Sequence, residues 1–251
     1  MSLQARTNMI QTIRDFAKPG QRRSLHDFQS LAGWINWALN AYPLLRPALS
    51  TLYSKISGKS NAHQLIWISV SLCRELLWFV DRVLDSNGVH LLESVEWNPI
   101  SADLTFFTDA CPLGLAFWCP TLMKGFQSAE TSISPHILFL EAYAVMSAIS
   151  YATTHVSPTP QRIVIYTDSS NTVDLFNTLH ASPEYNPLLI TAVDLVLHSK
   201  ISFRVLHVPG HDNIVADALS RFQNHRAISA APKLNIYPFQ PPRLMLGAAK
   251  K

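Results

Sequence analysis

The chain has few cysteines, little charge and no long apolar run, and each shortage removes a class of protein. Its three cysteines (Cys73, Cys111 and Cys119) form no CxxC pair and have no ligand-spaced histidines near them, which argues against a disulfide framework. They read as buried or free thiols of a reducing compartment. Charged residues are only 15% of the chain and hydrophobic ones 48%, which excludes a fully disordered protein and supplies enough apolar surface for a core. The first twenty residues hold no uninterrupted apolar stretch of the kind a secretory leader needs. The most apolar segment, Gln64 to Val80, is interrupted by Arg74 and Glu75 and falls short of the ~18 clean residues of a membrane span. The expectation is an intracellular protein of cytoplasm or nucleus, with no membrane partner. No internal repeat is visible, and 251 residues allow one large domain or two small ones.

What is present is an uneven charge. Residues 1–60 carry eight Lys/Arg against two acids, 61–100 two against five, 101–222 five against ten, and 223–251 five against none. A basic front and tail around an acidic middle suit a protein that grips a polyanion and holds cations at its centre.

Residues 1–24 end in the basic turn Lys18-Pro-Gly-Gln-Arg-Arg23, and Ser24 is placed to cap the helix that follows. Phe28, Leu31, Ile35 and Leu39 recur there at helical spacing, with Trp34 and Trp37 beside them. Pro43 and Pro47 bracket a break before a second helix reaching about Ile56. Ser57-Gly-Lys-Ser-Asn61 reads as a linker. A third, strongly apolar helix is expected over about 62–85, ended by Ser86-Asn-Gly88. Residues 1–95 thus predict a small helical domain.

After Trp97-Asn-Pro99 the pattern changes. Leu104–Thr108 and Leu115–Trp118 read as strands joined by a turn through Pro112 and Gly114, with a weaker strand near Lys124–Ser128. Pro135 opens a helix over about 136–154, Arg162–Tyr166 is a short β-rich run, and helices follow over about 170–179 and 184–198. The strand Ile201–Val208 and a helix over about 213–222 close the series. A meander followed by strands alternating with helices predicts an α/β domain over 101–222, a mixed sheet flanked by helices. Residues 223–251, with Pro238, Pro241-Pro242 and a Lys-Lys end, read as a flexible Pro-rich basic tail.

Four acids carry the chemistry. Asp109 closes the first strand, Glu141 lies early in the long helix inside the apolar run Ile137-Leu-Phe-Leu-Glu-Ala-Tyr143, Asp168 ends the fourth strand, and Asp217 sits in the last helix. Taken singly, Asp109 and Asp168 fit strand-end caps and Asp217 a surface helix position. Glu141 does not, because an acid among apolar residues is costly unless it is paired or binds a metal. Four carboxylates converging at a sheet edge would repel one another without cations, and hard oxygen ligands select Mg²⁺ or Mn²⁺ over zinc. Two such ions, ~3.5–4 Å apart, activate a water and stabilise the leaving oxygen of an in-line phosphoryl displacement.

The series Thr108-Asp109, Leu140-Glu141-Ala142, Tyr166-Thr167-Asp168-Ser169 and Val208-Pro-Gly-His211, with Ala216-Asp217-Ala-Leu-Ser-Arg221, resembles the ribonuclease H domain of reverse transcriptases. The stretch Asn213 to Arg221 is especially similar to long-terminal-repeat and DIRS-like retroelements. The order Asp, Glu, Asp, Asp separates it from the related integrase and transposase nucleases, whose glutamate comes last. The resemblance covers roughly 101–222 and implies a ribonuclease H-like mixed five-stranded sheet. It implies a pair of Mg²⁺ ions, with Mn²⁺ as a substitute, held by Asp109, Glu141, Asp168 and Asp217. It also implies that His211, on a mobile loop, shuttles protons or helps product leave, and that Ser169 and Asn213 assist substrate binding. The loop between His211 and Asp217 is shorter than in cellular ribonucleases H. The implied activity is hydrolysis of the RNA strand of an RNA–DNA hybrid, with the 2′-hydroxyl read by backbone groups near Asp109 and Gly114.

At the front, Leu31-Ala-Gly-Trp34 through Leu44-Leu-Arg-Pro47 and Leu52-Tyr53 is similar to the thumb and connection region of DIRS-like reverse transcriptases. That implies a basic helical thumb tracking the phosphate backbone. The competing expectation is a helical cap with Trp34 and Trp37 as core, and both can hold. No Tyr-x-Asp-Asp polymerase motif is found, so the implied setting is the C-terminal part of a retroelement reverse transcriptase without its palm, partnered by the polymerase part, or a degraded or domesticated copy. The alternatives are a catalytically silent nucleic-acid-binding module of the same fold and a related metal nuclease acting on DNA. Intact acids at all four positions favour the enzyme.

Overall fold

Ser2 and Ser24 each start a helix by accepting a backbone N–H, and these two helices build the first of two units in the chain. The computed structural model describes residues 2–85, 97–129, 131–132, 134 and 136–244. Ser86-Asn-Gly88, Pro135 and the Lys-Lys end, all singled out above, lie outside the described residues. The units are residues 1–96 with 180–186, and residues 97–179 with 187–251.

In the first unit, α1 (Leu3–Phe16) buries Met9, Ile10, Ile13 and Phe16, a three- and four-residue spacing that forms one helical face. The helix α2 (Leu25–Ala38) begins with a reciprocal cap: Asp27 N–H donates to Ser24 Oγ, and Ser24 N–H donates to Asp27. It buries Leu25, Phe28, Leu31 and Ile35, and Phe28 meets Phe16 edge-on at 4.9 Å. Trp34 and Trp37 lie on the other face, 43% and 53% exposed, so they are not the core residues that a packed cap would need. Pro43–Leu49 is a 3-10 helix that runs into α3 (Ser50–Ile56).

The helix expected from about residue 62 starts later. Leu65–Trp67 is instead a strand, β2, paired antiparallel with β1 (Arg22–Ser24), and α4 (Val70–Asp85) follows. The reason is the period of burial: Ile66 is buried between exposed Leu65 and Trp67, which is alternation by two rather than by 3.6. On α4, Glu75 is buried with its carboxylate accepting from Thr51 N, Thr51 Oγ1 and Asn186 Nδ2, each at 2.8 Å.

The second unit is a mixed six-stranded sheet in the order β7-β6-β3-β4-β5-β8. The strands β3 (Leu104–Cys111), β4 (Gly114–Cys119) and β5 (Lys124–Ser128) form the antiparallel meander. After α5 (Ile137–Thr154), β6 (Arg162–Thr167) joins β3 in parallel. The helices α6 (Ser170–Thr178) and α7 (Asn186–Ser199) precede β7 (Ser202–His207), parallel to β6. Then come α8 (Ile214–Ser220), α9 (Asn224–Ala230) and β8 (Asn235–Pro238).

Two expectations give way here. The sheet has six strands, not five, because β8 adds in parallel to the edge strand β5. Residues 223 onward are therefore not a loose tail throughout. Ala227, Ala231 and Leu234 are buried against Ala116, Val215, Ala218 and Leu219, and that burial supplies the energy that orders the segment. The opposite side of the sheet is covered by α5, whose Tyr151 ring lies 4.4–6.3 Å from the rings of Phe106, Phe117 and Phe126. By length and composition α5 could cross a membrane, with mean hydropathy 1.3, but 67% of it is buried within the structure. A helix covered on most sides carries apolar residues all round.

Candidate metal centre

Strand register brings Asp109 and Asp168 together. In the parallel pair β3–β6, Phe107 lies opposite Tyr166, so two residues further Asp109 lies beside Asp168, at the end where β6 gives way to α6. Ser169 caps α6, its Oγ accepting from Thr172 N–H, which leaves Asp168 in the turn between the strand end at Thr167 and the helix. On the second turn of α5, Glu141 completes a trio: one carboxylate oxygen from each of Asp109, Glu141 and Asp168 lies within 4.8 Å of the others. Asp109 is 5% exposed and Glu141 8%, while Asp168 is half-buried.

Crowding in low dielectric has the expected electrostatic result. Burial pushes the Glu141 carboxyl up to about 9, and the charges of Asp109 and Asp168 add to it, against weaker hydrogen bonds from Ala110 and Thr167. Burial likewise raises Asp109 to about 6, opposed by the Ser220 hydroxyl and reinforced by Asp168 and Asp217. One oxygen of Glu141, Oε2, is buried with no hydrogen-bond partner. A buried carboxylate oxygen left unpaired is costly, and a cation shared with Asp109 and Asp168 would remove that cost. The donor set, three carboxylates on rigid elements, thus fits a metal ion, and the trio can hold one.

Asp217 stands outside the trio. Its Oδ1 accepts from Arg221 Nε at 2.7 Å and its Oδ2 from Arg226 Nη1 at 2.5 Å. Burial would raise its carboxyl, but these two guanidiniums outweigh that and hold it below the usual range. Asp217 is still a neighbour: the Ser220 hydroxyl donates to Asp109 Oδ2 and also bonds the Asp217 carbonyl oxygen.

The remaining predicted residues are placed differently from one another. His211, in the turn after β7, is 80% exposed at its side chain, with Nε2 3.4 Å from Asp212 Oδ2. The same turn touches the trio through Gly210: a Cβ there would sit 3.2 Å from Asp168 Oδ2. Ser169 is spent on its cap, and its Oγ also accepts from Thr172 Oγ1 at 2.9 Å. Asn213 is 1% exposed and donates Nδ2 to the Thr108 carbonyl at 2.9 Å, which ties the start of α8 to β3 one residue before Asp109. That bond holds the strand next to Asp109, and the other end of the amide, Oδ1, is buried without a hydrogen-bond partner. Gly114 is buried as well, hemmed in by Phe222 and by the Ser220 and Ser128 carbonyls, whereas its turn neighbour Leu113 is 64% exposed.

No family model and no curated protein matches this chain. The reading of the centre therefore rests on its own geometry.

Sequence reasoning missed Gly210, Ser220, Arg221 and Arg226. Arg221 stands four residues after Asp217 on one helix, a spacing that could have flagged the pair. Arg226 gave no such signal, since it lies in the segment read as tail.

Proposed function

We propose that the second unit is a metal-dependent nuclease that hydrolyses the RNA strand of RNA–DNA hybrids, working as part of a retroelement reverse transcriptase. The observation that carries this reading is the trio of Asp109, Glu141 and Asp168, together with the buried Glu141 Oε2 that has no hydrogen-bond partner. The sheet supports it too: a meander, then parallel strands alternating with helices, is the ribonuclease H-like arrangement that the resemblance implies.

Asp109, Glu141 and Asp168 would hold the ion, and three carboxylates favour Mg²⁺ or Mn²⁺. Such ions activate water and offset the charge of the phosphodiester under attack. The protein's own residues prepare the place. Asn213 and the β3–β6 register fix Asp109, the Ser169 cap fixes the turn after Asp168, and the apolar packing of α5 keeps Glu141 dry. Loading is coupled to proton release, because burial keeps Glu141 protonated at neutral pH in the cation-free protein.

The first unit supplies a candidate grip on nucleic acid. Arg22 and Trp67 lie opposite each other in the β1–β2 ribbon, with the guanidinium 4.2 Å from the ring centroid. An exposed aromatic beside a cation suits a base and its phosphate.

The test is a labelled RNA–DNA hybrid incubated with Mg²⁺, alongside duplex RNA and duplex DNA. Cleavage of the hybrid's RNA strand, lost in Asp109→Asn, is expected. Wild-type cleavage no faster than that of Asp109→Asn would overturn the enzyme reading. A second reading, a catalytically silent hybrid-binding module, is favoured by the two arginines on Asp217. Hybrid binding with no cleavage and no cation uptake would select it.

A further inference from the structure

We propose that Arg226 is a positioning residue that holds Asp217 off the carboxylate trio and so sets how tightly the centre takes up a divalent cation. The inference rests on the metal-centre reading above and adds a regulator to it, drawn from the segment beyond the helix that carries Asp217.

Both oxygens of Asp217 are engaged, one by each arginine, at 2.7 Å and 2.5 Å. The two arginines have different origins. Arg221 lies one turn further along than Asp217 and meets it whenever that turn forms. Arg226 is on α9 and reaches Asp217 only when α9 docks. Docking is enforced by Ala227, Ala231 and Leu234, which are buried against Ala116, Val215, Ala218 and Leu219, and by the pairing of β8 with β5. The Arg226 Nη1 is further steadied by Gln223 Oε1 at 3.2 Å.

Asp217 is close to the acids it fails to join. The Ser220 hydroxyl bonds both the Asp109 carboxylate and the Asp217 carbonyl, and the Asp217 charge is felt at Asp109. A cation that drew on Asp217 would compete with the guanidiniums for the same oxygens. Because the Arg226 side chain is 48% exposed, removing it uncovers little core, and the effect of the lost charge can be read cleanly.

The experiment is a Mn²⁺ titration of the full chain, following free Mn²⁺ by electron paramagnetic resonance in wild type, R226Q, R226K, D217N and D217N/R226Q. The R226Q chain is expected to bind Mn²⁺ roughly fivefold more tightly, the equivalent of about 1 kcal/mol for one partly exposed ion pair. R226K, which keeps the charge, is expected to bind like wild type, and R226Q is expected to add nothing in the D217N background. Unchanged or weaker binding by R226Q, or an equal gain with and without Asp217, overturns the inference. A D109N chain separates the two levels. If D109N loses Mn²⁺ binding while R226Q is silent, the metal centre stands and the role of Arg226 falls. If D109N binds as well as wild type, the centre itself falls and this inference with it.

Discussion

Replacing Glu141 by Gln tests the centre with no substrate at all. In the cation-free protein, burial and then the charges of Asp109 and Asp168 raise this carboxyl from an ordinary 4.5 to about 9. A carboxyl raised by folding holds its proton more tightly folded than unfolded. Its contribution to stability is therefore full below about pH 4.5, is lost progressively as pH rises towards 9, and is flat beyond. At pH 7 the accumulated loss is about 3 kcal/mol, taking about 1.36 kcal/mol per pH unit above the unfolded value. The E141Q variant keeps the shape, has no proton to lose and can donate to its acidic neighbours. In EDTA at pH 7 it should melt roughly 6–12 °C above wild type, at about 2–4 °C per kcal/mol for a domain of this size. The gap should widen between pH 5 and pH 8. Millimolar Mn²⁺ should reverse the order, since a bound ligand stabilises only the chain that can hold it. Scanning calorimetry of both chains across that pH range, with and without Mn²⁺, reads all of this. Equal melting temperatures at every pH in EDTA, or a less stable E141Q, would refute the account of a dry, cation-seeking carboxyl.

Two further outcomes are expected. Gly114→Ala would place a Cβ 2.6 Å from a Phe222 ring carbon and 2.7 Å and 2.9 Å from the Ser220 and Ser128 carbonyl oxygens. Two of these are backbone and cannot yield, so a loss of about 1–3 kcal/mol is expected in urea unfolding. In the first unit, burial raises Glu75 to about 7, against the hydrogen bonds from Thr51 and Asn186. The first unit should thus lose stability as pH rises from about 4.5 to 7, and Glu75→Leu, which strands three buried donors, should cost about 3 kcal/mol or more by calorimetry.

Much of this was legible because it is local. Ser24 before an apolar-periodic run predicts the cap that forms, and an acid enclosed by Leu140, Ala142 and Tyr143 announces Glu141 as a residue with a purpose. The meander and the acids Asp109 and Asp168 follow from strands whose ends the turn residues mark. What was not legible depends on distant partners. Leu65–Trp67 looks like the start of an apolar helix until residues 22–24, some forty positions earlier, pair with it. Asn235–Pro238 is too short, and ends in a proline, to read as a strand without β5 beside it. Asp217 has the context of a ligand, but its position is settled by Arg226, whose helix had no signal strong enough to be seen. His211 and Asn213 show that a matching motif fixes where a residue lies in the chain, and packing decides which way it faces.

The sixth strand has a practical consequence for anyone handling the protein. A chain cut after residue 222 would leave β5, with Phe126 on it, as an open row of unsatisfied amides and carbonyls. Such a row is a template for adding strands from neighbouring molecules. In the intact chain β8 occupies that row, and Pro238, which has no amide hydrogen, blunts its end. Trimming the apparent tail to make a tidier protein would exchange a short edge that ends in proline for a longer, unblunted one, better suited to recruit copies of the chain.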